Sequence, residues 1–258
     1  MVPRVVDENA GYVVLYKPPG LHTAPPGRVR PGRVPEATLL DWCAARFPEV
    51  LAVAGKKPAE GGLLHRLDFR TQGLLLLART QAAMDGLRAQ QEAGLFVKEY
   101  GALAGAAAAL LPGFPAPPEN PRTIESAFRP YGPGRRAVRP LPVPSPAAGT
   151  GKGKAGGERA LDRGEPYRTD LISWETLGDY VYIRARIKRG FRHQIRCHLA
   201  WIGRPILNDT LYGGPPGRWA SGDGCLALRA QGIFFYDPLT GRPREYRITP
   251  LREVFFGG

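Results

Sequence analysis

Apolar and polar positions along this chain change period several times, and each change marks an expected element. Tyr12-Val13-Val14-Leu15-Tyr16 is an apolar run closed by Lys17-Pro18-Pro19-Gly20, a strand followed by a turn. Thr38 to Phe47 carries the wider spacing of a short amphipathic helix, with Thr38 placed as its cap. Leu74 to Ala78 is unbroken apolar sequence directly after Gly73, which suits a strand covered on both faces. Thr80 opens an expected helix to Glu92, and Gly94 ends it. From Phe96 to Ala104 the period falls to two, with Phe96, Lys98, Tyr100 and Ala102 on one face.

In the second half, Arg168–Trp174 and Tyr180–Lys188 form a candidate hairpin around Gly178-Asp179. Val181, Ile183, Ala185 and Ile187 share its apolar face; Tyr182, Arg184, Arg186 and Lys188 share a basic face, either solvated or part of a binding track. His193 to Gly203 reads as a helix with Ile195, Leu199 and Ile202 as its stripe and with Arg192 and Arg196 on a different face. Strands are expected around Leu226–Tyr236 and Glu245–Thr249. Between Pro112 and Pro166 the chain is rich in Pro and Gly, and a flexible surface insertion is expected at about 131–165. Its Gly149–Lys154 segment does not follow a buried strand with Gly-Lys-Ser/Thr, as a phosphate loop would. The order of elements implies α+β: one domain over 1–258, with flanking helices on a mixed, mostly antiparallel sheet.

Composition narrows the class. At 258 residues and 43% hydrophobic, the chain can bury a core. No run approaches the ~18 apolar residues of a membrane span, and Met1–Asp7 lacks a secretory apolar core. A cytoplasmic protein without a membrane partner, acting as a monomer, is expected. Cys43, Cys197 and Cys225 are unclustered and read as buried free thiols. Thirty-six Lys and Arg against 23 Asp and Glu give a net charge of +13, which favours a polyanionic partner.

The densest polar segment beside an apolar run is His65-Arg66-Leu67-Asp68-Phe69-Arg70-Thr71-Gln72-Gly73. A carboxylate there needs a cation or donors to offset desolvation, and Arg66, Arg70 and Arg196 are candidates. Spacing alone leaves Asp68 open as a structural ion pair. The four histidines have no metal-ligand spacing.

Four ordered motifs resemble the RluA family of pseudouridine synthases. They are Val14-Leu15-Tyr16-Lys17-Pro18-Pro19-Gly20-Leu21, His65-Arg66-Leu67-Asp68 through Thr71 and Gly73 to Ala78, Lys98-Glu99-Tyr100-Gly101-Ala102, and His193-Gln194-Ile195-Arg196-Cys197-His198-Leu199 through Ile206, Asp209 and Tyr212-Gly213. The resemblance implies a pseudouridine synthase catalytic domain with a central RNA-binding cleft. It would isomerise uridines in ribosomal or transfer RNA without cofactor or metal. It also implies roles: Asp68 as catalytic aspartate, Tyr100 stacking on the target base, and Arg196 pairing with Asp68. Arg66, Lys98, Arg192, His193 and Gln194, in or beside these motifs, are the candidate RNA contacts. Asp68 would attack C1′ or take a proton from C2′ of a flipped nucleotide. Three positions depart from the pattern: Gln72 for Ser, Phe191-Arg192 for Arg-Thr before His193, and Asn208 for Gly. A non-catalytic RNA-binding module and an N-glycosidic hydrolase are the competing readings.

Overall fold

The computed structural model describes residues 2–25, 37–106, 109–119, 121–142, 165–217 and 225–256. Ten strands lie among them: β1 (Arg4–Glu8), β2 (Tyr12–Lys17), β3 (Gln72–Ala78), β4 (Val97–Ala104), β5 (Thr123–Tyr131), β6 (Ala137–Pro142), β7 (Tyr167–Leu177), β8 (Tyr180–Ile187), β9 (Leu228–Tyr236) and β10 (Pro243–Arg247). Four α-helices accompany them: α1 (Leu39–Ala44), α2 (Gln81–Glu92), α3 (Gln194–Trp201) and α4 (Leu251–Phe256). The strands form one sheet in the order β1-β2-β3-β9-β4-β8-β7-β5-β6, and β10 pairs with β9. Only β3 and β9 run parallel, through Gln72↔Arg229 and Gly73↔Ala230. The expected α+β domain, mixed and mostly antiparallel, is the observed one.

The leucine run of β3 explains the layering. Leu75 and Leu77 pack with α1 residues Leu39, Leu40 and Cys43, while Leu74 and Leu76 pack with α2 residues Ala83, Met84 and Leu87. A strand covered by a helix on each face has no solvent side to mark with polar residues. Each fully buried leucine contributes about 1.5–3 kcal/mol. Helix α1 starts as expected: the Thr38 side chain accepts from the Asp41 backbone N–H, and the Asp41 carboxylate accepts from Thr38 N–H. Thr80 caps α2, and Gly94 takes a positive φ of 68° after its end.

Two expectations are corrected. The insertion placed at about 131–165 begins too early: Tyr131 ends β5, and Ala137–Pro142 is β6, paired through Ser126↔Pro142 to Tyr131↔Ala137. Its prolines are tolerated because β6 lies at the sheet edge; residues 143–164 of that stretch lie outside the described residues. Arg192 and Arg196 do not share a helix face, because α3 starts at Gln194 and His193 adopts a left-handed φ of 57° before it. That reversal turns Arg192 away from the helical spacing.

Candidate active site

Asp68 stands in the loop before β3, and its neighbours in sequence are fixed on both sides. The Thr23 hydroxyl donates to Leu67 O at 2.8 Å, and Leu67 N–H donates back to it at 3.2 Å. Phe69 O accepts from Gly20 N–H at 2.9 Å and from the Lys17 ammonium at 3.2 Å. Lys17 also donates to Pro18 O and Leu21 O. Thus the first motif clamps the second. Burial lowers the Lys17 pKa to about 7, against the opposing pull of Asp68.

Helix α3 supplies the cation. Arg196 Nη1 donates to Asp68 Oδ2 at 2.9 Å, while its Nε and Nη2 donate to the two oxygens of Asp209 at 2.7 and 2.9 Å. Burial opposes the charge of Arg196, but Asp209 and then Asp68 outweigh it, so its pKa is raised. Asp209 is 1% exposed, whereas the Asp68 side chain is 27% exposed. The buried carboxylate therefore fixes the guanidinium, and the guanidinium fixes the accessible one. Tyr100, from β4, lies in the same cleft, which Arg66, Leu67, Thr71, Ile187, His193, Ile195 and Leu228 also line. Its pKa is raised by burial and then by Asp68. Asp68, Tyr100 and Arg196 thus come together from a loop, a strand and a helix.

The candidate RNA contacts divide. Arg66 is exposed at the cleft and pairs with Glu60 at 2.9 Å. Arg192 is exposed and donates to Arg135 O and Ala137 O at the β5–β6 turn. His193 lies beside the carboxylate, with Nε2 at 3.8 Å from Asp68 Oδ2. Two of the candidates are buried. Gln194 also lines the cleft, and its amide is already engaged by the fold: it accepts from Phe191 N–H and donates to Arg168 O and the Thr169 hydroxyl. Lys98 is buried with its ammonium 6.0 Å from the Phe96 ring centroid, and burial lowers its pKa to about 8. An ammonium so placed is not a surface phosphate contact.

Motif membership did not reveal how Asp209 and Tyr212 act: one grips Arg196, the other contacts His193. The three departures have local explanations. Gln72 is buried, accepting from the Tyr16 hydroxyl at 2.8 Å and from Arg229 at 2.6 Å. Phe191 stacks on Phe128 at 4.9 Å and 6°. Asn208 holds φ at 65°, a region where asparagine is among the better tolerated residues, and its amide bonds Gly217 and Cys225.

The basic face of β8 is neither plain solvated surface nor open track. Arg184 and Arg186 clamp Glu99 at 2.9 and 2.8 Å, and Arg247 joins them at 3.2 Å. Glu99 is fully buried; burial raises its pKa, but the arginine hydrogen bonds outweigh that and lower it. A cavity of about 520 Å³ lies there, lined by Glu99, Tyr182, Arg184, Gln231, Arg247 and Arg252. It sits on the opposite sheet face from Tyr100, since adjacent strand residues alternate. Among the described residues no helix is long and apolar enough to cross a membrane.

Residues 11–201 match the family model described as RNA pseudouridylate synthase. The chain is 35% identical over 197 residues to a protein of Chloroflexus aurantiacus named as an uncharacterized RNA pseudouridine synthase, covering 76% of this chain and 50% of that one. It is 27% identical over 214 residues to the ribosomal large subunit pseudouridine synthase D of Haemophilus ducreyi, covering 83% and 53%. The chain thus spans about half the length of these curated relatives. Its fold resembles human RNA pseudouridylate synthase domain containing 1, with a TM-score of 0.59 and 21% identity over 96% of this chain and 83% of that one.

Proposed function

The chain belongs to the RNA pseudouridylate synthase family, and on that premise we propose that it isomerises specific uridines in RNA to pseudouridine. Asp68, Tyr100 and Arg196 are the catalytic residues of this reading. The observation that carries it is the convergence of an accessible carboxylate, an aromatic ring and a doubly anchored guanidinium in one cleft.

The chemistry needs little more. C1′ of a stacked nucleotide is shielded, so the uridine must leave the helix. Tyr100 offers a face on which a pyrimidine can stack. Asp68 then attacks C1′ or removes a proton from C2′, and the N1–C1′ bond breaks. The uracil turns and C5 bonds to C1′, displacing Asp68 in the first route or with the C2′ proton returned in the second; the C5 proton leaves to solvent and N1 takes one up. The balance is an isomerisation with no redox change. Arg66 and Arg192, exposed near the cleft, serve as phosphate contacts within a chain of net charge +13. Ribosomal RNA is the first substrate class to test, because relatives are named for the large ribosomal subunit. The cytoplasm is the proposed compartment, and the chain is proposed to act as a monomer.

The test is tritium release from RNA labelled with [5-³H]uridine, with and without Asp68→Asn. Release by the wild type and none by the variant is expected. No release from any cellular RNA pool would sink the reading. Free uracil instead of pseudouridine would favour an N-glycosidic hydrolase.

A further inference from the structure

We propose that His193 is a fixed hydrogen-bond donor which, opposite Asp68, recognises the 2′-hydroxyl of the target ribose. The proposal rests on the pseudouridylation reading above for its substrate. Its geometry stands independently.

The argument begins with a buried phenol. The Tyr212 oxygen accepts from Val138 N–H at 2.9 Å, and the residue is 1% exposed. Its own proton needs an acceptor, and His193 Nδ1 lies 3.2 Å away. Tyr212 therefore donates to Nδ1. A neutral imidazole that accepts at Nδ1 carries its proton on Nε2. Burial lowers the His193 pKa to about 4, with Asp68 opposing and Arg196 and Arg192 reinforcing, so the ring is neutral near pH 7. The left-handed backbone of His193, φ 57° and ψ 17°, is uncommon for a residue other than glycine.

Nε2–H then faces Asp68 Oδ2 across 3.8 Å. That is too long for a direct hydrogen bond, yet one oxygen can sit about 2.8 Å from both atoms. The gap has a donor on one side and an acceptor on the other. A uracil carbonyl would meet the carboxylate with lone pairs, and an N–H would meet the imidazole N–H. A hydroxyl satisfies both. The ribose 2′-hydroxyl is the one next to C1′ and C2′, the atoms Asp68 must reach, and it separates RNA from DNA. Oδ2 also holds Arg196, which leaves Oδ1 free of hydrogen bonds among the described residues and available to react.

Two measurements test this. ¹⁵N NMR of the free, histidine-labelled protein, with His193 assigned by its loss in His193→Gln, should show the neutral Nε2–H tautomer at pH 7. An Nδ1–H tautomer or an imidazolium overturns the proposal. Next, a stem-loop oligoribonucleotide carrying the mapped uridine is made with ribose or 2′-deoxyribose at that position. His193→Ala should lower kcat/KM roughly three- to tenfold on the ribose substrate and leave the 2′-deoxy substrate unchanged. His193→Gln, which keeps an amide donor, should recover part of the loss. An equal loss on both sugars overturns the proposal. Should the wild type turn over no RNA, the pseudouridylation reading fails separately. The tautomer result, with the same cycle read in binding affinity, then decides the role of His193.

Discussion

Arg196 Nη1 meets Asp68 Oδ2 at 2.9 Å, joining residues 128 positions apart. The bond ties the loop before β3 to helix α3, yet its two ends are unequal. Asp68 is partly open to the cleft, whereas Arg196 keeps Asp209 whether or not Asp68 is charged. Asp68→Asn should therefore abolish turnover while shifting the unfolding free energy by less than about 1 kcal/mol. Urea unfolding alongside tritium release checks both halves; a loss of several kcal/mol would mean that Asp68 is chiefly structural.

Asp209→Asn should behave in the opposite way. It removes the buried partner that holds two nitrogens of Arg196, and breaking a buried pair costs about 3–5 kcal/mol. Activity should fall as well, because the guanidinium loses the anchor that aims it at Asp68. Comparing the denaturation midpoint with Asp68→Asn decides between this and two equivalent carboxylates.

Tyr100→Phe keeps the ring and should preserve both fold and RNA affinity. Tyr100→Ala removes a stacking face worth about 1–3 kcal/mol per base, so RNA should bind about tenfold more weakly or worse. Filter binding with labelled RNA separates the two variants. Equal affinities for Phe and Ala would show that the ring does not stack.

The acid limb of stability follows from three histidines that burial holds neutral, His65, His193 and His198. Burial lowers His198 to about 3 and His193 to about 4, both below an unfolded value of 6.5. Between these values the unfolded chain binds protons that the fold refuses, so stability is full above pH 6.5 and declines as the pH falls towards 4 and 3. At pH 5 the His198 contribution alone is about 2 kcal/mol of lost stability. His198→Gln should flatten the decline in a pH series of chemical denaturations. An unchanged slope would mean that His198 is charged in the fold.

How far the sequence could be read depended on the range of the interaction. Periodicity found β2, β3, α2, β4, the β7–β8 hairpin and α3, because burial on one or both faces leaves a local trace. It missed β5 and β6, where Pro130, Pro140 and Pro142 resembled loop composition; Pro140 and Pro142 lie in the edge strand β6, and Pro130 in the part of β5 that pairs only with β6. It could not place β9 between β3 and β4, since such pairing has no local signature. At the site, motif order singled out Asp68, Tyr100 and Arg196. It misassigned Lys98, because belonging to a motif does not say whether a side chain faces the cleft or the core; Gln194 does line the cleft, with its amide engaged by the fold. Asn208 looked like a departure until its φ showed that the position requires a left-handed residue.

The place of β9 bears on how the protein comes into being. Residues 228–236 form the seam between β3 and β4, so the strand that follows Asp68 and the strand that bears Tyr100 are not bonded to each other. During synthesis both halves leave the ribosome long before the strand that joins them. The cleft therefore stays unassembled until β9 is out, and the exposed edges of β3 and β4 must wait meanwhile. Nascent chains stalled before residue 228 should be open to proteases at both edges, with protection arriving abruptly once β9 is released.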